Sequence, residues 1–383
     1  MKIKDVIHGE INIEEDIIID LIQTLEFQRL RKIKQLGVTN YTFPGAEHTR
    51  YSHSIGVYYI IKLILKKFET SNLYTSEEAI ALKVAGLLHD IGHGPLSHAA
   101  ETFFDYAHED FTIAIIQKQD GEIHQILKKY DQNNQQNIYQ QVIDLIAKEH
   151  GNKALNSLIS SSIDADRMDY LLRDSYYTGA VYGTIDIQRI ISLMKYKENK
   201  IVFDSKALYT LEDFILSRYH MFNQVYLNKK SLIYERLLQK ILERVFTLYE
   251  QSFEFKTDTG IFFDLIEKPI LVENYIKIND YNFMAAIDNL YYEEDEQLKC
   301  IVGVLKKRVN FYEEFENNIK LQANELILTT DNINKKVYSA LEPIFILDET
   351  GKVKKIEEVS QIFEFSKTTL TISVKEKKYK VSL

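Results

Sequence analysis

The sequence predicts a mainly α-helical fold with a small C-terminal α/β appendage, on three observations. Only 14 Gly and 4 Pro interrupt 383 residues, so long helices meet few breakers. Apolar residues recur at helical spacing through most of the chain, and the run ALKVAGLLH is apolar all round, as a core helix requires. From about Tyr338 the character changes, and IFIL, TLTISV and YKVSL read as short strands between turn residues. Residues 1–335 are therefore expected to form the helical domain and 336–383 the appendage.

Residues 1–19 alternate weakly (KIKDVIHGEINI) and read as a short hairpin or extended arm. Leu21, Ile22, Leu25, Leu30 and Ile33 share one helical face, so a helix is expected over 20–36, ended by Gly37. Pro44-Gly45 marks the following loop. A second helix is expected from about Ser52 to Phe68 and a third from Ser76 to His89, before GHGPLSH breaks the pattern. Further helices are expected at about 108–130, 138–149, 153–175 and 186–195. MKYKENKIVFD reads as a small hairpin, and helices resume from Leu208 to about Asn332.

The formal net charge is −9 and the isoelectric point about 5.7. That balance argues against a protein built to coat nucleic acid or an anionic membrane. No run of about 18 apolar residues exists, so no membrane span is expected. The single cysteine, Cys300, cannot pair internally, which fits a reducing, cytoplasmic compartment.

The strongest chemical signal is LLHDIGHGPLSH. Imidazole and carboxylate ligands suit a divalent cation that hydrolyses phosphate esters. A lone His-Asp pair is more often a helix cap. Here His89, Asp90, His93 and His98 follow an apolar run, and burying them requires partners. Farther away lie His53 and the segment SSIDADRMDYLLRDSYY, where Asp166, Tyr170, Arg173 and Asp174 fall on one helical face. That stripe reads equally well as a solvated salt-bridge ladder.

The ordered motifs FQRLRKIKQLG, FPGAEHTRYSHSIGV, LLHDIGHGPLSH, HED and DADRMDYLLRDSYYTG resemble the dNTP triphosphohydrolase branch of the HD superfamily. The resemblance covers residues 1 to about 240, with a metal core at about 20–240. It implies one divalent ion on His53, His89, Asp90 and Asp166, with Mn, Fe, Mg, Ni and Zn not distinguished. An additional Mg²⁺ carried with the nucleotide is compatible with it. His93, Glu101, His108 and Glu109 then form the catalytic group, with His108, poised by Glu109 or Glu101, protonating the departing 5′-oxygen. Arg50 and Arg167, with Lys229 or Lys230, are expected at the phosphates, and His98 beside them. Gln35, Leu36, Tyr170 and Asp174 are expected at the sugar, with Tyr234 as a stacking ring. The resemblance implies a dNTP substrate, release of deoxynucleoside and triphosphate, and a homodimer or homotetramer. An HD-type phosphodiesterase or nucleotidase and a non-catalytic nucleotide-sensing scaffold are the alternatives.

Overall fold

The computed structural model describes all residues except 98–100, 102, 267, 308–311, 316–324, 331–332, 340–341, 365–368, 375–376 and 383. His98 therefore lies outside the described residues. The fold is mainly helical, and no helix among the described residues is long and apolar enough to cross a membrane.

The chain opens with an antiparallel hairpin of β1 (Lys2–Asp5) and β2 (Gly9–Asn12). The helix expected over 20–36 is broken into α1 (Asp16–Gln23), a single turn at Leu25–Gln28 and a 3₁₀ turn at Arg29–Lys32. Thr24 causes the break: its backbone is extended, and its hydroxyl accepts from Phe27 N at 3.2 Å to start a new turn. Next come α2 (Arg50–Lys67) and α3 (Ser76–Leu88). Thr75 and Glu78 start α3 with a reciprocal capping box. Both helices bury apolar residues on most sides, as ALKVAGLLH predicted for α3.

The stretch 108–130 is two helices, α4 (His108–Gln117) and α5 (Glu122–Asn134), separated by Lys118–Gly121. After α6 (Ile138–Ile146), 153–175 likewise splits into α7 (Lys153–Ile159) and α8 (Ala165–Thr178). Asp164 starts α8 by accepting from Arg167 N at 2.7 Å. A short α9 (Ile187–Leu193) leads into the expected hairpin, β3 (Met194–Lys197) and β4 (Lys200–Phe203). Then follow α10 (Leu208–Met221), a π turn at Phe222–Tyr226, α11 (Lys229–Glu250), α12 (Asp280–Asn289) and α13 (Glu296–Lys307).

Strands begin earlier than expected. β5 (Tyr312–Phe315) and β6 (Glu325–Thr330) lie where helix was expected up to about Asn332. ELILTT carries β-branched residues that favour a strand. β7 (Ile333–Ser339) spans the 335/336 position. β8 (Phe345–Leu347) adds in parallel to β4 and pairs with β9 (Val353–Lys355). β10 (Thr369–Val374) pairs with β7, whereas β11 (Lys377–Ser382) lies between β5 and β6.

Two apolar cores result. The first gathers α1–α10 with Val337, Tyr338, Ile346 and Ile372 from the C-terminal strands. The second gathers α11–α13 with Val38, Leu96, Phe104 and Phe111. Ile91 belongs to the first core and Leu96 to the second. The turn after His89 therefore lies along the seam between them.

Candidate metal centre

Three helix ends converge at this seam. His53 stands in the first turn of α2, His89 caps the C-terminus of α3, and Asp166 stands in the first turn of α8. Ligand-type atoms of His53, His89 and Asp166 all lie within 4.8 Å of one another. Asp90 joins them: its oxygens are 3.7 Å from His53 Nε2 and 3.4 Å from His89 Nε2. His53 Nε2 lies 3.0 Å from Asp166 Oδ1. Both Nε2 atoms are buried and make no hydrogen bond among the described residues.

Each imidazole is held from behind through Nδ1. His89 Nδ1 donates to Gly86 O at 2.8 Å, and His53 Nδ1 donates to Asp169 Oδ2 at 2.8 Å. The acceptors cannot donate, so Nδ1 carries a hydrogen in both rings and Nε2 is the atom turned toward the cluster. Burial alone would lower the His53 pKa, yet Asp166 and Asp169 pull it up to about 10. Asp90 is likewise held well below the carboxylate range by His89 and Arg50, against the effect of burial. Inward-facing Nε2 atoms among such carboxylates fit a divalent cation, which would take the place of those protons.

A second cluster adjoins the first through Asp90. His93 Nε2 lies 3.3 Å from Asp90 Oδ1, and the His93 ring stacks on His108 at 3.7 Å. Burial, then the Arg50 charge, push the His93 imidazole down to about 3, so it is neutral at pH 7. Glu101 spans the stacked pair, 2.7 Å from His93 Nδ1 and accepting from His108 Nδ1 at 3.1 Å. Glu109 is 3.4 Å from the same His108 nitrogen, with its side chain 57% exposed. Thr112 ties α4 to the turn, donating to His89 O at 3.1 Å and accepting from Gly92 N at 3.0 Å. A Cβ at Gly92 would strike the His108 carbonyl and the Thr112 amide.

The remaining expected residues divide. Arg50 is buried at the centre, donating to Asp90 Oδ2 at 2.5 Å and Ser97 Oγ at 3.0 Å. Gln35 offers its carbonyl to Arg50 at 3.5 Å, and Leu36 is half-buried beside it. Asp174 accepts from Tyr226 Oη at 2.8 Å and lies 2.7 Å from His48 Nε2; the Tyr170 ring lies 6.2 Å from that of Tyr226. Arg167 leans on Asp164 at 3.6 Å.

Tyr234 is a correction. It is 2% exposed and stacks on Tyr41 in the second core, so no face is open to a sugar; Tyr226 is the tyrosine beside Asp174. Lys229, its side chain 37% exposed, pairs with Glu314 at 2.7 Å, toward the C-terminal strands. The 166–174 stripe is no solvated ladder either, because Asp169, Arg173 and Asp174 are all buried. Asp169, His48, Tyr226 and Arg218 were missed. Arg218 is buried near Tyr170, with Nε lacking a hydrogen bond among the described residues. Asp169 had one local signal, its i,i+4 spacing to Arg173.

A family model described as HD domain matches residues 50–174, and one described as HD associated region matches 185–268. The chain is 37% identical to the uncharacterized protein YwfO of Bacillus subtilis, covering 94% of this chain and 88% of that protein. It is 30% identical to the deoxynucleoside triphosphate triphosphohydrolase SAMHD1 homolog of Dictyostelium discoideum, over 89% of this chain and 63% of that protein. The crystal structure of a phosphohydrolase from Bacteroides thetaiotaomicron superposes with a TM-score of 0.84 at 28% identity, covering 100% of this chain and 99% of that one. The first HD match runs from Arg50 to Asp174 and so takes in the whole converging cluster; this chain belongs to the HD-domain phosphohydrolases.

Proposed function

We propose that this HD-domain phosphohydrolase cleaves deoxynucleoside triphosphates to a deoxynucleoside and inorganic triphosphate. The observation that carries the reading is the adjacency of a cation-type cluster, His53, His89, Asp90 and Asp166, to a His93–His108 stack bridged by Glu101. The name of the Dictyostelium relative supports the substrate class. A homodimer or homotetramer belongs to the same reading.

A divalent cation held there supplies Lewis acidity at a phosphoryl oxygen and a lowered pKa for water. The chain's own groups do the rest. Glu101 accepts from His108 Nδ1 and so orients the ring, leaving Nε2 to hand a proton to the leaving 5′-oxygen. The bond from the α-phosphorus to that oxygen breaks as a water oxygen joins the phosphorus, and the proton that this water releases to solvent balances the one that His108 gives up and later regains. Neutral His93 supports the His108 ring without adding a competing charge. Arg50 and Arg167 supply positive charge for the phosphates. Asp174, fixed by His48 and Tyr226, keeps lone pairs for a sugar hydroxyl.

The test is a chromatographic panel of dNTPs, NTPs, monophosphates and cyclic dinucleotides with Mn²⁺. The reading expects deoxynucleosides from dNTPs alone. It expects His108→Ala to lower that rate about 10²–10⁴-fold while Mn²⁺ binding persists. Cleavage of a monophosphate or cyclic diester with dNTPs intact would replace the substrate assignment.

A further inference from the structure

The N-terminal hairpin reaches the back of the candidate metal centre. Its turn is shaped by Asp5, whose Oδ1 accepts from Ile7 N and His8 N, each at 2.9 Å. Asp5 also takes two bonds from Arg173, Nη1 to Oδ2 at 2.8 Å and Nη2 to Oδ1 at 3.2 Å. Arg173 in turn grips Asp169, with Nε to Oδ2 at 2.7 Å and Nη2 to Oδ1 at 2.9 Å. His8 Nε2 donates to Asp169 Oδ1 at 2.6 Å, from 161 residues away in the chain. The remaining donor on Asp169 is His53 Nδ1.

The side chains of His53, Asp169 and Arg173 are 0% exposed, and those of Asp5 and His8 are 6% and 7% exposed. Asp169 is held well below the carboxylate range despite burial, through Arg173, His53 and His8. A carboxylate that can only accept obliges His53 to carry its hydrogen on Nδ1. There is no room to adjust: a Cβ at Gly56, one turn along α2 from His53, would overlap the Asp169 carboxylate. Removing the hairpin's donor would leave Asp169 Oδ1 held by Arg173 alone and so loosen the aim of the carboxylate that orients His53.

We propose that the N-terminal hairpin positions the metal centre, with Asp5 and His8 acting through Arg173 and Asp169 to fix the tautomer and direction of His53. The proposal rests on the reading that His53 holds a divalent cation. Neither Asp5 nor His8 touches the cation or substrate; both are positioning residues. Outer partners of a ligating imidazole typically change metal affinity by about 10–100-fold.

The experiment titrates Mn²⁺ into the chelator-treated full chain by calorimetry. The variants are His8→Met, which keeps bulk but loses the donor, and His8→Gln, which keeps a donor. Apo thermal unfolding is followed in parallel. The expected result is Mn²⁺ affinity about tenfold weaker in His8→Met, the low end of the range for a direct partner because His8 acts through Asp169, with most of it recovered in His8→Gln. A purely structural His8 would lower the melting temperature yet leave Mn²⁺ affinity unchanged in the folded fraction, and that overturns the proposal. If His8→Met does not fold, Asp5→Asn decides: weakened Mn²⁺ binding supports the proposal and wild-type affinity overturns it. A wild-type chain that binds no Mn²⁺ overturns the underlying metal reading and the proposal together. Normal wild-type binding with unchanged variants overturns the proposal alone.

Discussion

Replacing Tyr275 by Phe removes one oxygen from the seam between the two cores. Tyr275 Oη donates to Gly92 O at 2.6 Å, inside the turn that carries Asp90 and His93. The ring stacks on Phe111 at 3.9 Å, and a phenylalanine keeps that contact. The substitution therefore keeps the ring packing and removes only what the hydroxyl does, its bond to Gly92 O and its polar contacts with Tyr106 and Arg29. Leaving the buried Gly92 carbonyl unsatisfied costs about 1–3 kcal/mol. The neighbouring clamps limit any compensating shift. Arg29 donates to Ile91 O, His93 O and Ile278 O at 3.2, 2.7 and 3.1 Å, and Asp280 accepts from Leu96 N at 2.8 Å. Urea unfolding of the full chain at neutral pH should show a loss in that range with an unchanged slope. Turnover should fall as well, because the same turn sets the spacing of Asp90 and His93. A loss below about 0.5 kcal/mol, under half of a typical net hydrogen bond, would refute the claim that the second core holds the turn in place.

Glu101→Gln should cost about tenfold or more in kcat, short of the ~10²–10⁴ expected on removing the acid itself. Glu109→Gln should change little, and steady-state kinetics of the two variants settle which carboxylate orients His108. Gly92→Ala puts a methyl against two backbone groups; calorimetry should show a loss of about 1–3 kcal/mol together with lost activity. Burial pushes the Glu235 carboxyl up to about 7 from 4.5. Its stability contribution is thus fully present below 4.5 and lost as pH rises through 7. Glu235→Gln should accordingly do little near pH 5 and stabilise by about 1–3 kcal/mol near pH 8.5, as read from unfolding curves at both pH values. An equal effect at the two would contradict the burial argument.

The site was legible where its residues are neighbours in sequence. His89, Asp90 and His93 share one turn after an apolar helix, and a buried helix ending in His-Asp demands partners. Periodicity put Asp166, Arg173 and Asp174 on one face of α8 but could not say whether that face is buried, and Asp169 beside it was passed over. His8 carried no local signal, since its partner is 161 residues away. Tyr226 and Tyr234 lie near each other in an aromatic-rich stretch, and only packing separates the one beside Asp174 from the one in the core. The helices of the first 240 residues were legible as apolar faces, although Thr24, Lys118–Gly121 and Asp164 cut three of them. In the C-terminal part IFIL, TLTISV and YKVSL were legible as strands β8, β10 and β11, but their pairing was not, because β11 pairs with β5 and β6 rather than with adjacent β10. Such long-range pairing leaves no mark on local composition.

The most direct test of the central claim is phosphorus NMR of the chain incubated with one dNTP and Mn²⁺, with and without chelator. The account predicts intact inorganic triphosphate as the phosphorus product, equimolar deoxynucleoside, and no turnover with chelator. Pyrophosphate with deoxynucleoside monophosphate, or stepwise loss of orthophosphate, would contradict it, because the bond broken would not be the one to the 5′-oxygen that His108 is placed to protonate.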